Sequence, residues 1–236
     1  ILLDRLANND YGVVCMKPYG YDEDFRREHP GGSGTDSTYF DPNTYLLAIS
    51  HCFTLTSALV INRNLICDVD SSRFITTDLA TFHLLLRASL AAKQNLYLDD
   101  YMVASKRQNS FSYEFTEVFV NQFWGIIDSH AEYGLSKKFV YELENKRLFS
   151  YYPFYVLDLR LSRRGDLAVS SENFYKRFGK RFFFKIWLAP LLYLPRPMAI
   201  VLGSFITFVG RVSRGDLRRG LKLVLYRLGR GIRGGK

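Results

Sequence analysis

The sequence predicts an α/β domain followed by a helical, strongly basic region. Short apolar runs alternate with helical hydrophobic patterns over about residues 1–160, and such alternation is typical of α/β folds. The 236 residues are 47% hydrophobic and 16% aromatic, which is enough apolar material for a sizeable core. Residues 1–173 hold 17 basic and 22 acidic side chains, whereas residues 174–236 hold 15 and one. The basic region is therefore expected to meet a polyanion, either a membrane surface or a nucleic acid.

The first elements follow a helix–strand–loop–helix order. Residues 1–8 have the pattern of a helix end, and residues 11–16 form an apolar run typical of a strand. Residues 20–44 are predicted to form a polar loop, and residues 43–51 a helix. Because the chain starts inside a helix–strand unit, we expect further sequence before Ile1.

The middle of the chain continues the alternation. We expect a buried strand at residues 55–62, a helix at residues 79–92, and a strand at residues 95–98 that residues 102–105 extend. Thr76, Thr77 and Asp78 form an N-cap cluster before that helix. Residues 113–150 are predicted to be helical, with a break at Tyr133 and Gly134.

The region after Phe174 combines apolar and basic side chains. An apolar stretch from Phe182 to Val209 is interrupted by prolines, so neither half reaches the roughly 18 residues that a spanning helix needs. Basic residues flank it on both sides, which favours a re-entrant or interfacial hairpin on an anionic leaflet. The alternative is a core helix with a solvated basic face.

Several common site types find no support. The three cysteines form no CxxC pair, and the four histidines lack metal-ligand spacing, so neither a disulfide framework nor a histidine metal site is expected. His83 lies near the apolar face of its helix and is interpreted as a core residue. The chain contains no GxSxG, P-loop or GxGxxG, which leaves hydrolase, NTPase and dinucleotide-binding functions unsupported.

Four stretches together resemble bacterial family 2 glycosyltransferases of the abequosyltransferase-like branch. They are YGVVCMKPYGY from Tyr11, SALVINR from Ser57, TTDLATFHLLLRASL from Thr76, and YLDDYMVASKRQNSFSYEF from Tyr97. The resemblance implies that residues 1–160 are the acceptor-side, C-terminal half of a GT-A (Rossmann-like) domain, and residues 174–236 a membrane-associating tail. It also implies inverting transfer from a nucleotide sugar to a saccharide or lipid-linked acceptor. The pathway implied is bacterial lipopolysaccharide, O-antigen or exopolysaccharide synthesis at the cytoplasmic face of the inner membrane.

The resemblance also implies a divalent metal, Mg or Mn, held by a DxD-type cluster. That cluster is expected upstream of Ile1, together with the nucleotide-binding strands. Asp99 and Asp100 also follow a predicted strand, but no βαβ units precede them, so we do not assign them this role.

The resemblance places the catalytic base at Asp78, at a helix start. Relatives often have a Glu-Asp pair there, whereas Thr77 holds the first position here, and simple helix capping is the alternative for Asp78. Lys106 and Arg107, with Asn109 nearby, are candidates to bind the donor diphosphate. A solvated turn is the alternative for these residues.

Two other functions stay open. Without a donor site, the chain is a non-catalytic, membrane-bound interaction protein or remnant. The Arg-Gly pattern near Arg230 also suggests a nucleic-acid binder, although the aliphatic run beside it suits lipid better than phosphate. We therefore expect an anionic membrane surface, rather than nucleic acid, as the partner of the basic region.

Overall fold

The computed structural model describes residues 2–7, 9–32, 34–69, 75–106, 114–162 and 167–212. The chain divides into two compact units, Ile1–Val140 and Tyr141–Lys236. The first contains a β-sheet, and the second is helical in its described part. The α/β class expected from the sequence is therefore confirmed, whereas the domain bounds of 1–160 and 174–236 stay predictions.

A four-stranded mixed sheet forms the centre of the first unit. Its strands are β1 (Val13–Tyr21), β2 (Ser37–Tyr39), β3 (Leu59–Ile61) and β4 (Asn95–Lys106), in the spatial order β2-β4-β1-β3. The central strands β1 and β4 pair in parallel, and both outer strands pair antiparallel. Val14, Leu96 and Leu98 pack together on this sheet because parallel neighbours are buried in the centre.

Sequence features explain where helices of the first unit begin. In the first unit they are α1 (Leu2–Ala7), α2 (Pro42–Ala48), α3 (Ala80–Ala91), α4 (Phe123–Ser129) and the start of α5 (Lys137–Ser150). The Asp41 carboxylate caps α2 by accepting from the Thr44 N–H at 2.9 Å, and Pro42 follows at the first helical position. A π-helical stretch, Glu117–Gln122, leads into α4.

An aromatic stack joins α3 to α4 inside the first unit. The Phe82 and Phe123 rings lie parallel, with centroids 4.7 Å apart, and Phe53 contacts Phe82 at 4.9 Å. All three side chains are buried. Offset rings at these distances contribute roughly 0.5–1.5 kcal/mol beyond the burial of their area.

The predicted elements of the first unit differ from the structure in several places, and the strand predicted at residues 11–16 is longer, because β1 continues to Tyr21. The strand expected at residues 55–62 is wrong in extent, because Thr56–Ala58 form a 3-10 turn and only Leu59–Ile61 pair with β1. The loop predicted at residues 20–44 contains β2, a three-residue strand too short to produce a periodic pattern. By contrast, β4 is one continuous strand that joins both predicted extended segments. Gly134 has φ of 100° and ends the turn before α5, as its position in the sequence suggested.

The second unit consists of packed helices. They are the rest of α5, then α6 (Tyr152–Ser162), α7 (Leu167–Phe178), a π-helical stretch Phe184–Leu188, α8 (Ala189–Tyr193) and α9 (Arg196–Val212). Tyr152, Phe174 and Phe178 form its aromatic centre, with ring centroids 5.0–6.4 Å apart. The short link between α8 and α9 is fixed by Arg160, which donates to the carbonyls of Leu191, Leu192 and Leu194.

A buried carboxylate links α5 to the chain after α7. One carboxylate oxygen of Glu144 forms an ion pair with the Arg177 guanidinium at 3.0 Å, and the other oxygen pairs with Arg181. Burial raises the pKa of Glu144, and the two guanidinium groups oppose that effect. Within the described part of the chain, every helix falls short of the length and apolarity needed to cross a bilayer.

Candidate functional site

Asp78 lies in the turn that precedes α3 and its side chain is exposed. The N-cap position of α3 is taken by Leu79, which makes no side-chain capping bond. Asp78 therefore lies one residue before the cap, and its interpretation as a residue at the helix start that the dipole favours stays the alternative to the catalytic base. The Asp78 side chain lies beside the positive end of the α3 dipole.

Asp78 is held by Gln122 through two hydrogen bonds. The Asp78 N–H donates to Gln122 Oε1 at 3.1 Å, and Gln122 Nε2 donates to Asp78 Oδ2 at 3.4 Å. Gln122 is the last residue of the π-helical stretch before α4. Because π-helical turns displace one residue from the regular helix, they frequently occur at functional sites. The pairing fixes Asp78 from a second element that the sequence does not place near it.

Lys106 is the last residue of β4. It pairs with Tyr21 at the far end of the parallel β1–β4 ladder, whereas Asp78 lies in the turn before α3. The two residues thus belong to different elements of the first unit.

Arg107 and Asn109 fall outside the described residues. Their binding to a diphosphate, like that of Lys106, therefore stays a prediction. The same holds for Asp78 as a base, because position and exposure alone assign no reaction.

Asp99 and Asp100 sit at a bulge in the central ladder, inside β4. The pairing register steps from Met16–Leu98 to Lys17–Tyr101, so these two aspartates have no opposite residue on β1. Lys17 Nζ contacts Asp99 Oδ1 at 2.5 Å and lies 4.4 Å from the centre of the Tyr101 ring. The hydrogen bond that Lys17 donates to the Asp99 carboxylate raises the pKa of Lys17. Bulges re-aim side chains and are over-represented beside active sites.

The loop between β1 and β2 closes onto this bulge. The Gly34 N–H donates to the Asp99 carbonyl at 3.0 Å, and the Asp99 N–H donates to Asp36 Oδ1 at 3.3 Å. A Cβ atom on Gly34 would come within 1.6 Å of an Asp99 carboxylate oxygen, so this approach requires glycine. Asp36 also pairs with Arg5 at 2.8 Å. Four charged side chains of separate segments therefore meet here: Arg5, Lys17, Asp36 and Asp99.

Sequence reasoning missed this cluster. Lys17 and Asp36 carry no motif, and the register shift that gathers them depends on the pairing of β1 with β4. The available signal was the long glycine-rich loop around Gly34, for which the sequence left a functional loop and a plain surface loop equally open. The structure adds His29, which approaches the Tyr101 carbonyl at 3.2 Å from the same loop.

The described residues do not assemble a site for the implied divalent metal. Among them, no three His, Cys, Asp or Glu side chains are grouped so as to hold a metal ion. Asp99 is already engaged by Lys17, whose ammonium group would repel a cation at that carboxylate. No chemical step through a metal is therefore derived from this chain.

The remaining buried groups are structural. His83 is buried, as expected, and its ring contacts the buried His130 ring edge to face at 4.7 Å. Burial lowers the pKa of His130, whose Nδ1 bonds to the Ile126 carbonyl at 2.7 Å. The three cysteines are free thiols, and a hydrogen bond with Cys52 raises the pKa of Cys15.

No family model, curated protein or solved structure matches the chain at a significant level. The functional assignment consequently depends on the residues and on their geometry.

Proposed function

We propose that this chain is the acceptor-side part of an inverting glycosyltransferase, which transfers a sugar from a nucleotide sugar to a saccharide or lipid-linked acceptor. The observation that carries the proposal is the exposed Asp78 carboxylate, which is held by Gln122 and is not used as a helix cap. The product expected from the resemblance is a bacterial surface polysaccharide or lipopolysaccharide.

Asp78 acts as the general base in this proposal. Its carboxylate accepts the proton of an acceptor hydroxyl as that oxygen attacks the anomeric carbon from the face opposite the diphosphate. The bond between the anomeric carbon and the diphosphate oxygen breaks, and the nucleoside diphosphate leaves with the electron pair. A carboxylate suits this role because it is exposed to an incoming hydroxyl, and Gln122 restricts its orientation.

Gln122 is a positioning residue, since it acts through Asp78. Gln122→Ala removes both hydrogen bonds to Asp78 without changing a charge. We expect it to lower kcat and to leave KM for the nucleotide sugar unchanged, because the donor is bound elsewhere. An equal loss of binding and turnover would show instead that Gln122 only supports the fold.

The test measures nucleoside diphosphate release by the natural protein that contains these residues. The substrates are a panel of nucleotide sugars and, as acceptor, a lipid extract of the source membranes. Asp78→Asn keeps the size of the side chain and is expected to lower kcat by about 10²–10⁴-fold, the usual contribution of a general base. Asp68→Asn is the matched control, because Asp68 is also an exposed aspartate in a turn, and it should leave turnover unchanged.

Two results would overturn the proposal. Asp78→Asn with the parent turnover would exclude the base. No diphosphate release by the parent with any donor would favour the non-catalytic membrane-bound protein.

A further inference from the structure

Helix α9 is oriented with its apolar side outward. At 100° per residue, Met198, Val201, Leu202, Phe205, Phe208 and Val209 fall within an arc of about 120°. Met198, Val201 and Phe205 are 56%, 68% and 59% exposed, and the other three are half-buried. This face contains no polar side chain. In water, a contiguous apolar face of this kind is unfavourable and marks an interaction surface.

The inward side of α9 carries the small and polar residues. Ser204 and Thr207 are each only 7% exposed, and Ser204 donates to the Ile200 carbonyl at 2.8 Å. Gly203 faces α6, where an added Cβ would lie 3.0 Å from Leu157 Cδ1. Small residues on a packing face let two helices approach closely, as they do where lipid covers the outer faces. Ala199 and Ile206 are also buried on the inward side, so α9 has apolar residues on both sides, and its outward apolar face is additional to the packed one.

The segment before α9 adds further exposed apolar residues and basic ones. Phe182, Ile186 and Tyr193 are exposed, and so are Lys180 and Lys185. Beyond α9 the chain continues for residues 213–236, which contain eight basic side chains and one acidic one. Positive charge thus adjoins the apolar face along the sequence on both sides.

Charge decides between the possible occupants of this face. In a dimer formed through this face, residues 174–236 of two copies would lie close together. Each copy holds 15 basic side chains and one acidic side chain in these residues. Like charges in a symmetric interface repel, so self-association explains the apolar face but not the charge. A nucleic acid would match the charge but not the apolar face. An anionic lipid surface accommodates both, because it attracts basic residues and solvates apolar ones.

We propose that the outward face of α9 inserts into the surface of an anionic lipid monolayer, with the helix axis in the membrane plane. Val201 and Phe205 lie at the centre of the inserted face. Lys180 and Lys185, which precede the helix and are exposed, contact lipid phosphates, and the net positive charge of residues 213–236 adds to the attraction for anionic lipid. Lipid binding by this face does not depend on the glycosyltransferase proposal, and it is tested without a nucleotide sugar.

The test is partition of the full-chain protein onto lipid vesicles, measured by co-sedimentation. Phosphatidylcholine vesicles are compared with vesicles that also contain phosphatidylglycerol, at low and at physiological salt. We expect binding to the anionic vesicles that survives physiological salt, because apolar insertion is not screened.

Val201→Glu and Phe205→Glu are the test variants, and Val169→Glu is the matched control. Val169 is an exposed valine in the first turn of α7, 44% exposed, so its exchange adds the same charge outside α9. Each test variant is expected to reduce the partition coefficient at least about tenfold, since an apolar side chain is withdrawn from the lipid. The control should stay within about twofold of the parent. Near-UV circular dichroism checks that all three variants are folded.

Three results would overturn the proposal. Equal losses in Val169→Glu and Val201→Glu would mean that net charge alone drives binding. A parent dimer that Phe205→Glu dissociates, with no vesicle binding, would identify a second copy as the occupant. Retention on RNA without lipid binding would assign the basic region to nucleic acid.

Discussion

Helices α3 and α9 are both amphipathic, yet their large apolar side chains differ in exposure. In the first unit, α3 turns Phe82, Leu85 and Leu86 inward, where all three are buried. In the second unit, α9 buries Gly203 and Ser204 and exposes Val201 and Phe205. An amphipathic pattern therefore shows that a helix has an apolar and a polar face. It does not show whether the apolar face packs against protein or contacts another medium.

The largest expected effect contrasts one phenylalanine from each helix. Phe82→Ala removes a ring from the stack with Phe123 and is expected to lower the free energy of unfolding by about 3–5 kcal/mol. Phe205→Ala removes a 59% exposed ring and should change it by less than about 0.5 kcal/mol. Urea unfolding is followed by the fluorescence of Trp124 for the first variant and Trp187 for the second. Similar losses in both would show that α9 is buried in the free protein.

The second contrast concerns the buried carboxylate of the helical unit. Glu144→Gln leaves Arg177 and Arg181 without their anionic partner, and we expect a loss of about 2–3 kcal/mol. We expect a smaller loss of unfolding free energy than for a fully buried ion pair, because the Arg181 side chain is 37% exposed. Urea unfolding measures it, and Glu142→Gln in the same helix is the control. A loss under about 0.5 kcal/mol would mean that solvent screens this pair.

The buried imidazole of the first unit predicts a dependence of stability on pH. Burial depresses the pKa of His130 below its ordinary value of 6.5, so the unfolded chain binds the proton more readily. Stability is thus fully present above about pH 6.5 and falls as the pH drops towards the folded-state pKa, by at most about 1.4 kcal/mol per pH unit. His130→Asn keeps a donor near the Nδ1 position and should flatten this slope. Thermal unfolding between pH 7.5 and 5.5 checks it, and an unchanged slope in the variant would assign the effect to other groups.

The smallest expected effects come from two helical glycines. Gly125 lies in α4 with open space around it, so Gly125→Ala should stabilise the first unit by about 0.5–1 kcal/mol. Gly203 lies against Leu157, and a methyl group at this position would crowd the Leu157 side chain. We therefore expect Gly203→Ala to stabilise the protein much less than Gly125→Ala does. Thermal unfolding of both variants separates an exposed helix position from a packed one. A full gain at Gly203 would show that α6 and α9 pack loosely.

The sequence predicted the elements whose patterns are long and regular. The helix expected at residues 79–92 is α3, Ala80–Ala91, since its apolar residues recur at helical spacing. The extended segments around Tyr97 form β4, and Gly134 marks the break in the helical region. In contrast, β2 has only three residues, and its pairing with β4 is a tertiary contact that no local pattern encodes.

The candidate site could be predicted only as a list of residue types. Asp78 was chosen from its position before a helix, but its partner Gln122 lies 44 residues further along the chain. The charged cluster around Lys17 depends on a register shift between two parallel strands, which arises from tertiary pairing. The inward placement of Ser204 and Thr207 was likewise not expected, because the usual rule places such residues outside.

The central claim, that Asp78 is the general base of a sugar transfer, is tested most directly by the release of nucleoside diphosphate in Asp78→Asn, measured beside Asp68→Asn. The account predicts that kcat falls by about 10²–10⁴-fold in Asp78→Asn and keeps the parent value in Asp68→Asn. Parent turnover in Asp78→Asn, or an equal loss in both variants, would contradict the claim.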